Sequence, residues 1–240
     1  MLYFEFITVG VTLLWVTGRI PRSKDPKFIL MVLLGSVTLS MSISAYLGHL
    51  PEFPCELSHS GYRFPGYLFF ATGLTFASNS MYQLHARSDH DRGWKSWIGH
   101  IGASAMLLTG LINDPNLSVI VLHSFCSIVC FVSYLVYLTA HKIVPWFGLM
   151  AFLCNYLLLF SCLWLGPCAT YLPSDSEDVI ATARSTIPYW IRVTRSLCQW
   201  VLIGDLMRLV LLRFTTVNPK LFPHETTGTI VVLEKTKKRD

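Results

Sequence analysis

Charged residues are scarce in this sequence. Asp, Glu, Lys and Arg make up 14% of its 240 residues, against about 25% in an ordinary soluble domain, and hydrophobic residues make up 52%. Such a chain has too little polar surface for a typical water-soluble enzyme, so that class is excluded. The net charge of +5 comes from connectors and the tail, which does not favour binding to nucleic acid.

Catalytic and metal-binding signatures are missing as well. The sequence has no G-x-S-x-G elbow, no H-E-x-x-H, no P-loop and no Cys–Cys or His–His metal spacing. We therefore expect neither a metal nor another cofactor, and a non-enzymatic role is favoured. One loop is bordered by His85, His90 and His100. A solvated loop beside the lipid headgroups is favoured there over a metal-binding loop.

Long apolar runs are abundant. Seven of them have about the 17 to 25 residues that cross a hydrocarbon core of about 30 Å. They predict an all-α, polytopic transmembrane helix bundle, with a six-helix core at 28–214 and an additional N-terminal helix at 1–18. The alternatives for 1–18 are a signal peptide or an interfacial segment. The runs are Met1–Thr17, Phe28–His49, Phe64–Ala86, Trp94–Ile112, Leu117–Ala140, Pro145–Gly166 and Pro188–Phe214.

The basic residues predict the orientation of the bundle. Fourteen of the 19 Lys and Arg residues lie in alternate connectors, at the run ends beside them or in the tail, and such residues stay preferentially in the cytosol. The N-terminus is therefore predicted to be lumenal and the C-terminus cytosolic. The fourteen are Arg19, Arg22, Lys24, Lys27, Arg87, Arg92, Lys95, Lys142, Arg213, Lys220, Lys235, Lys237, Lys238 and Arg239.

The segment 215–240 is polar and basic, and is predicted to be a largely disordered cytosolic tail. Lys237 and Lys238 stand fourth and third from its end. This resembles the dilysine signal that coat proteins recognise when they return proteins to the endoplasmic reticulum. The alternatives are a chance match and a patch that binds lipid headgroups.

Two of the seven cysteines, Cys55 and Cys168, lie in predicted lumenal connectors. An oxidising lumen would allow them to form a disulfide, and two free thiols are the alternative. The other five lie within predicted helices, where cysteine acts as a small core residue. They are Cys126, Cys130, Cys154, Cys162 and Cys198.

Small and polar residues mark the predicted helix contacts. Gly66, Gly73 and Ser80 recur every seven residues, and such small residues let helix backbones approach closely in a membrane. A second seam and a polar stripe recur at helical spacing and are predicted to face inward. The seam is Gly99, Gly102, Ala103 and Gly110, and the stripe is His123, Ser127, Cys130, Tyr134, Tyr137 and His141.

The last run carries unusual charge for a membrane helix. Arg192, Arg195 and Gln199 share one face near its lumenal end, where charged groups need partners, water or a function. His123 lies at a similar depth, with Glu56 and Asp114 in the connectors above. These residues predict either a pocket that holds an acidic headgroup or hydrogen bonds that fix packing. A separate pair, Asp205 and Arg208, lies on the opposite side, and both Arg192 and Arg208 can reach headgroups.

Three short patterns stand out, namely the turn 48–61, the start of a helix at Val121-Leu122-His123, and the pair Gln199-Trp200. They resemble the damage-regulated autophagy modulator (DRAM) family, which includes post-GPI-attachment remodelling proteins and a CWH-like N-terminal domain, and whose autophagy modulators carry Glu-Trp in place of Gln199-Trp200. The resemblance covers 28–214. It implies a six-helix protein of the endomembranes or the cell surface that acts in lipid remodelling, lipid organisation or autophagy, and it supplies no catalytic mechanism.

Several functions therefore compete. An accessory protein of membrane-lipid handling in the endoplasmic reticulum or Golgi is favoured, with the lysosome or plasma membrane as other locations. A membrane acyl-transfer or lipid-hydrolysing enzyme would use His123 as general base and Arg195 to bind phosphate. The seven runs also permit a receptor, although the sequence has neither D-R-Y nor N-P-x-x-Y at the expected helix ends. A transporter is less favoured, because no inverted repeat is visible.

Overall fold

The protein is all-helical in the described part of the computed structural model, which comprises residues 25–50, 56–87, 93–113, 117–165 and 187–217. Each of its six α-helices matches a predicted run to within three residues at either end. The segment 1–18, Asp114, Cys55, Cys168, Lys237 and Lys238 lie outside the described residues. The helices are α1 (Pro26–Tyr46), α2 (Gly66–Arg87), α3 (Trp94–Leu111), α4 (Leu117–Ala140), α5 (Trp146–Leu165) and α6 (Tyr189–Val217), with a 3₁₀ turn at Leu57–Gly61 between α1 and α2.

Two of these helices are long and apolar enough to cross a membrane. They are α1 and the part of α4 from Val119 to Ala140, and α5 contains a shorter apolar stretch, Trp146–Ser161. The polar residues that distinguish α6, among them Arg195 and Asp205, lower its mean hydropathy. Helix α6 also continues to Val217, three residues beyond the predicted end of its run at Phe214.

The beginnings of two helices depend on aspartate. The Asp25 carboxylate accepts a hydrogen bond from the Lys27 amide at 2.9 Å, and Pro26 takes the first position of α1. An aspartate in this position satisfies an amide that has no partner within the helix. At α5 the acceptor comes from another helix, because the Asp205 carboxylate accepts from the Gly148 amide at 2.9 Å. Asp205 thus caps α5 from α6, and it also pairs with Arg208 at 3.2 Å.

Contacts between neighbouring helices show an alternating, up-and-down order. Helix α1 packs on α2, α2 on α3, α3 on α4, and α5 on α6. Ser44 near the end of α1 bonds to the turn that precedes α2, and the Tyr67 hydroxyl at the start of α2 donates to the Leu111 carbonyl at the end of α3. One end of the protein, the basic end, therefore holds Pro26, Arg87, Trp94, Ala140, Trp146 and Val217. The opposite end is called the Glu56 end.

The predicted glycine seams are close contacts. A side chain on Gly73 would overlap Ser36 of α1, and one on Gly66 would overlap Ser44 and Ser60. On α3, a side chain on Gly110 would lie 2.7 Å from Leu74 of α2. These positions therefore need glycine for space, as predicted.

The polar stripe of α4 faces inward, with Tyr137 fully buried and His123 6% exposed. His85, however, does not lie in a solvated loop as predicted. It is buried between α2, α3, α4 and α6. The centre of its ring lies 4.7 Å from that of the Tyr137 ring and 5.1 Å from that of the Phe214 ring. The expectation was wrong because Gly99 leaves room for an imidazole across the helix contact.

Candidate functional site

The 3₁₀ turn at the Glu56 end packs against α1, α2 and α6. Ser40 and Ser44 of α1 donate to the Ser60 carbonyl at 3.1 and 2.8 Å, and Asn113 after α3 donates to the Ser58 carbonyl at 3.0 Å. Buried backbone carbonyls require such partners. The turn therefore presents Glu56, its capping residue, in a fixed position.

Glu56 points to α6 and pairs with Arg195. Its carboxylate lies 2.9 Å from the Arg195 guanidinium, and the two side chains are only 16% and 13% exposed. Gln199, one turn further along α6, lies close enough to the same carboxylate to stabilise its ionised form. This ion pair joins the connector between α1 and α2 to the last helix.

The charges of the site keep Glu56 ionised. Burial alone would raise the pKa of the Glu56 carboxyl, but the Arg195 guanidinium and the nearby His59 ring outweigh it and hold that pKa below its ordinary value. The phenol of Tyr62, buried beside Ser58, has its pKa raised by burial and by the Glu56 charge. Tyr62 therefore stays protonated and remains a hydrogen-bond donor.

His123 of α4 completes the polar cluster. Its Nδ1 lies 2.8 Å from the Ile112 carbonyl at the end of α3. Because a carbonyl only accepts, Nδ1 carries the proton and Nε2 is the acceptor of the neutral ring. Glu56 and His59 both interact electrostatically with this ring, so His123 lies within electrostatic range of the ion pair.

Several polar atoms of the cluster retain unused hydrogen-bonding capacity. Among the described residues, Arg195 Nε and Asn113 Oδ1 are buried and have no hydrogen-bond partner, and the same holds for Asn155 Oδ1 of α5. Tyr156, next to Asn155, lies within electrostatic range of both Glu56 and Arg195. Buried polar groups nearly always have partners, so these atoms are available to hydrogen-bond a polar ligand or water.

Of the predicted site residues, the structure brings together His123, Arg195 and Gln199. Arg192 lies one turn before Arg195, where its guanidinium bonds to the Ile187 carbonyl and stacks 5.8 Å from the Tyr189 ring centre. Asp114 lies outside the described residues. Sequence reasoning placed Glu56 only in a connector above the site, and it missed His59, Tyr62 and Asn113, because an irregular connector has no periodicity that fixes where its side chains point.

The basic end carries its own polar contacts. Arg213 of α6 hydrogen-bonds to Nδ1 of His141 at the end of α4, at 2.8 Å, which ties these two helix ends together. The predicted pair of Asp205 and Arg208 is present, but Arg208 is 61% exposed. These contacts serve helix packing and capping.

Comparison with known proteins adds no relative. No family model, no curated protein and no solved structure matches the chain.

Proposed function

We propose that this chain is a multi-pass protein of the endomembrane system, and that it acts as an accessory factor in membrane-lipid handling rather than as an enzyme. In this proposal all six described helices cross the bilayer. The basic end faces the cytosol and the Glu56 end faces the lumen, in agreement with the distribution of Lys and Arg.

The distribution of apolar side chains carries the proposal. Every helix exposes large apolar residues, whereas serine, asparagine, histidine and aspartate are buried between helices. Soluble domains rarely expose so many large apolar residues on every helix, and exposed apolar surface of this extent supports contact with lipid. The exposed residues include Met31, Leu34, Leu68, Ile101, Phe125, Val132, Met150, Leu157, Leu197 and Val201.

Aromatic residues at both ends support the same reading. Trp94, Trp97 and Trp146 are exposed at the basic end. Tyr46, Tyr189 and Trp190 are exposed at the Glu56 end. Tryptophan and tyrosine concentrate at the two membrane interfaces, where their rings meet both lipid and water.

The Glu56 cluster supplies the site of action. One terminal nitrogen of the Arg195 guanidinium pairs with Glu56, and the buried Nε donor has no partner among the described residues. A guanidinium binds phosphate oxygens well. We assign this cluster to an acidic lipid headgroup at the lumenal surface. The resemblance to the DRAM family suggests GPI-lipid remodelling or autophagy as the setting.

A second candidate, a membrane acyl-transfer or lipid-hydrolysing enzyme, is favoured by one observation. The bond from His123 to the Ile112 carbonyl leaves Nε2 unprotonated in the neutral ring, as a general base requires. The purified protein would then turn over a lipid ester, and His123→Ala would abolish turnover at unchanged abundance. The accessory role predicts no turnover by the wild type.

The test of the accessory role uses cells that lack the protein. We expect their GPI-anchored surface proteins, lipid profile or autophagic flux to change, and the wild type to restore them. The double variant Glu56→Arg with Arg195→Glu should restore abundance but not function, because it rebuilds the pair yet moves the guanidinium. Cells with unchanged lipids, anchored proteins and flux would contradict the proposal.

Location is tested separately through Lys237 and Lys238. The double variant Lys237→Ala with Lys238→Ala removes the lysine pair, and we expect the protein to leave the endoplasmic reticulum for the Golgi or plasma membrane. An unchanged location would contradict a retrieval signal.

A further inference from the structure

A groove on the outer face of α3 and α4 has a different character from the Glu56 cluster. It has a volume of about 330 Å³, within the size range of small-ligand sites. Its mostly apolar walls include Tyr82, His100, Ser104, Leu108, Phe125 and Val129. It opens outward, toward the surface where lipid would lie in a membrane-embedded bundle.

His100 lies at the end of this groove nearer the basic end, and it offers a hydrogen-bond acceptor. His100 Nδ1 lies 2.7 Å from the Ser96 carbonyl, so Nδ1 carries the proton and Nε2 of the neutral ring is left as an acceptor. The edge of the Tyr82 ring contacts the His100 ring, at 4.3 Å between ring centres. This acceptor suits a hydroxyl group, which donates.

The groove is about as long as one leaflet is thick. From Trp97 to Leu108 it follows eleven residues of α3, or about 16 Å at 1.5 Å per residue. Half of a hydrocarbon core is about 15 Å. With Trp97 at the interface of the basic end, the groove reaches from the headgroup level to the middle of the bilayer.

We infer that this groove binds one sterol molecule in the cytosolic leaflet, with the sterol hydroxyl on His100 and the ring system along Ser104, Leu108 and Val129. The inference rests on the membrane-embedded bundle proposed above. None of the residues that line the groove carries a formal charge at neutral pH when His100 is neutral, so the groove has no counter-ion for a phospholipid. A groove of about 330 Å³ with the His100 acceptor toward one end fits one rigid body with one hydroxyl better than the two chains of a diacylglycerol.

The test is photolabelling of the full chain in phosphatidylcholine nanodiscs. The probes are a sterol, a diacylglycerol and a fatty acid, each carrying a diazirine and an alkyne. We expect the sterol to label peptides of α3 and α4, and unlabelled sterol to compete. His100→Phe keeps the ring but loses the acceptor, and should reduce labelling roughly fivefold, the effect of one lost hydrogen bond. His100→Gln, which keeps an acceptor, should restore most of it.

A matched pair of variants tests the position of the sterol. Val129→Phe narrows the groove and should reduce labelling, whereas Leu153→Phe on the exposed face of α5 should not. Labelling spread over all helices, or diacylglycerol or fatty acid labelling these peptides equally, would overturn the inference. If the protein is inserted in membranes but the sterol does not label it, the sterol site falls and the proposed function stands. If alkaline carbonate extracts the protein from membranes, both fall.

Discussion

The ion pair of Glu56 and Arg195 makes the sharpest prediction, because breaking it leaves a largely buried charge alone. Removing one partner of a buried pair costs about 3 to 5 kcal/mol, and we take about 3 kcal/mol because both side chains keep some exposure. For a chain of this size, 1 kcal/mol corresponds to about 2 to 4 °C in melting temperature. Glu56→Gln and Arg195→Gln should each therefore lower it by about 6 to 12 °C.

The assay is thermal unfolding of the purified full chain in detergent, followed by tryptophan fluorescence. The double swap, Glu56→Arg with Arg195→Glu, should be more stable by about 1 to 3 kcal/mol than the summed losses of its two single charge reversals, Glu56→Arg and Arg195→Glu, predict. Arg208→Gln is the control, since that arginine is mostly exposed and should change the stability by about 0.5 kcal/mol or less. A swap as unstable as the two single losses added together would refute the direct pair.

Three further predictions concern packing, capping and pH. Gly73→Ala should lower the melting temperature because its methyl group meets Ser36. A methyl group on Gly35 would have no atom within 4 Å, so Gly35→Ala should leave the melting temperature unchanged or raise it through helix propensity. Equal effects of the two variants would contradict the predicted seam. Asp205→Leu should lower the free energy of unfolding by about 2 kcal/mol, since it leaves the Gly148 amide without its acceptor. Arg208 is the exposed partner of Asp205, so Arg208→Gln should change this free energy little. Similar losses in the two variants would contradict the cap. The lowered pKa of Glu56 means that its stabilisation is complete above its ordinary value of 4.5 and is lost as pH falls through the lower folded value. Between pH 7 and pH 5 the melting temperature of the wild type should not fall relative to that of Glu56→Gln. A fall in this range that Glu56→Gln abolishes would contradict the assignment.

The helices could be predicted from the sequence because long apolar runs with short connectors leave few alternatives. The inward faces followed from helical spacing, as Gly73 and Tyr137 illustrate. His123, Arg195 and Gln199 were grouped correctly for the same reason, since their depths along two helices can be counted from the ends.

The features that could not be predicted from the sequence depend on contacts between residues distant in sequence. Glu56 lies in an irregular connector, and its direction is set by serines of α1 and by Asn113, which no local pattern reveals. Asp205 caps α5 from another helix, and His85 is buried through space left by Gly99. Each of these depends on which helices touch, so the spacing of residues along one helix could not disclose it.

Membrane topology is the central claim, and mapping with glycosylation acceptor sites tests it most directly. One acceptor is placed in the connector 167–187, and another, within a matched inserted spacer, in the connector 88–92. We expect the first acceptor to be glycosylated, the second to stay unglycosylated, and the protein to remain in the membrane in alkaline carbonate. Glycosylation of the second acceptor, or extraction of the protein, would contradict the proposed topology.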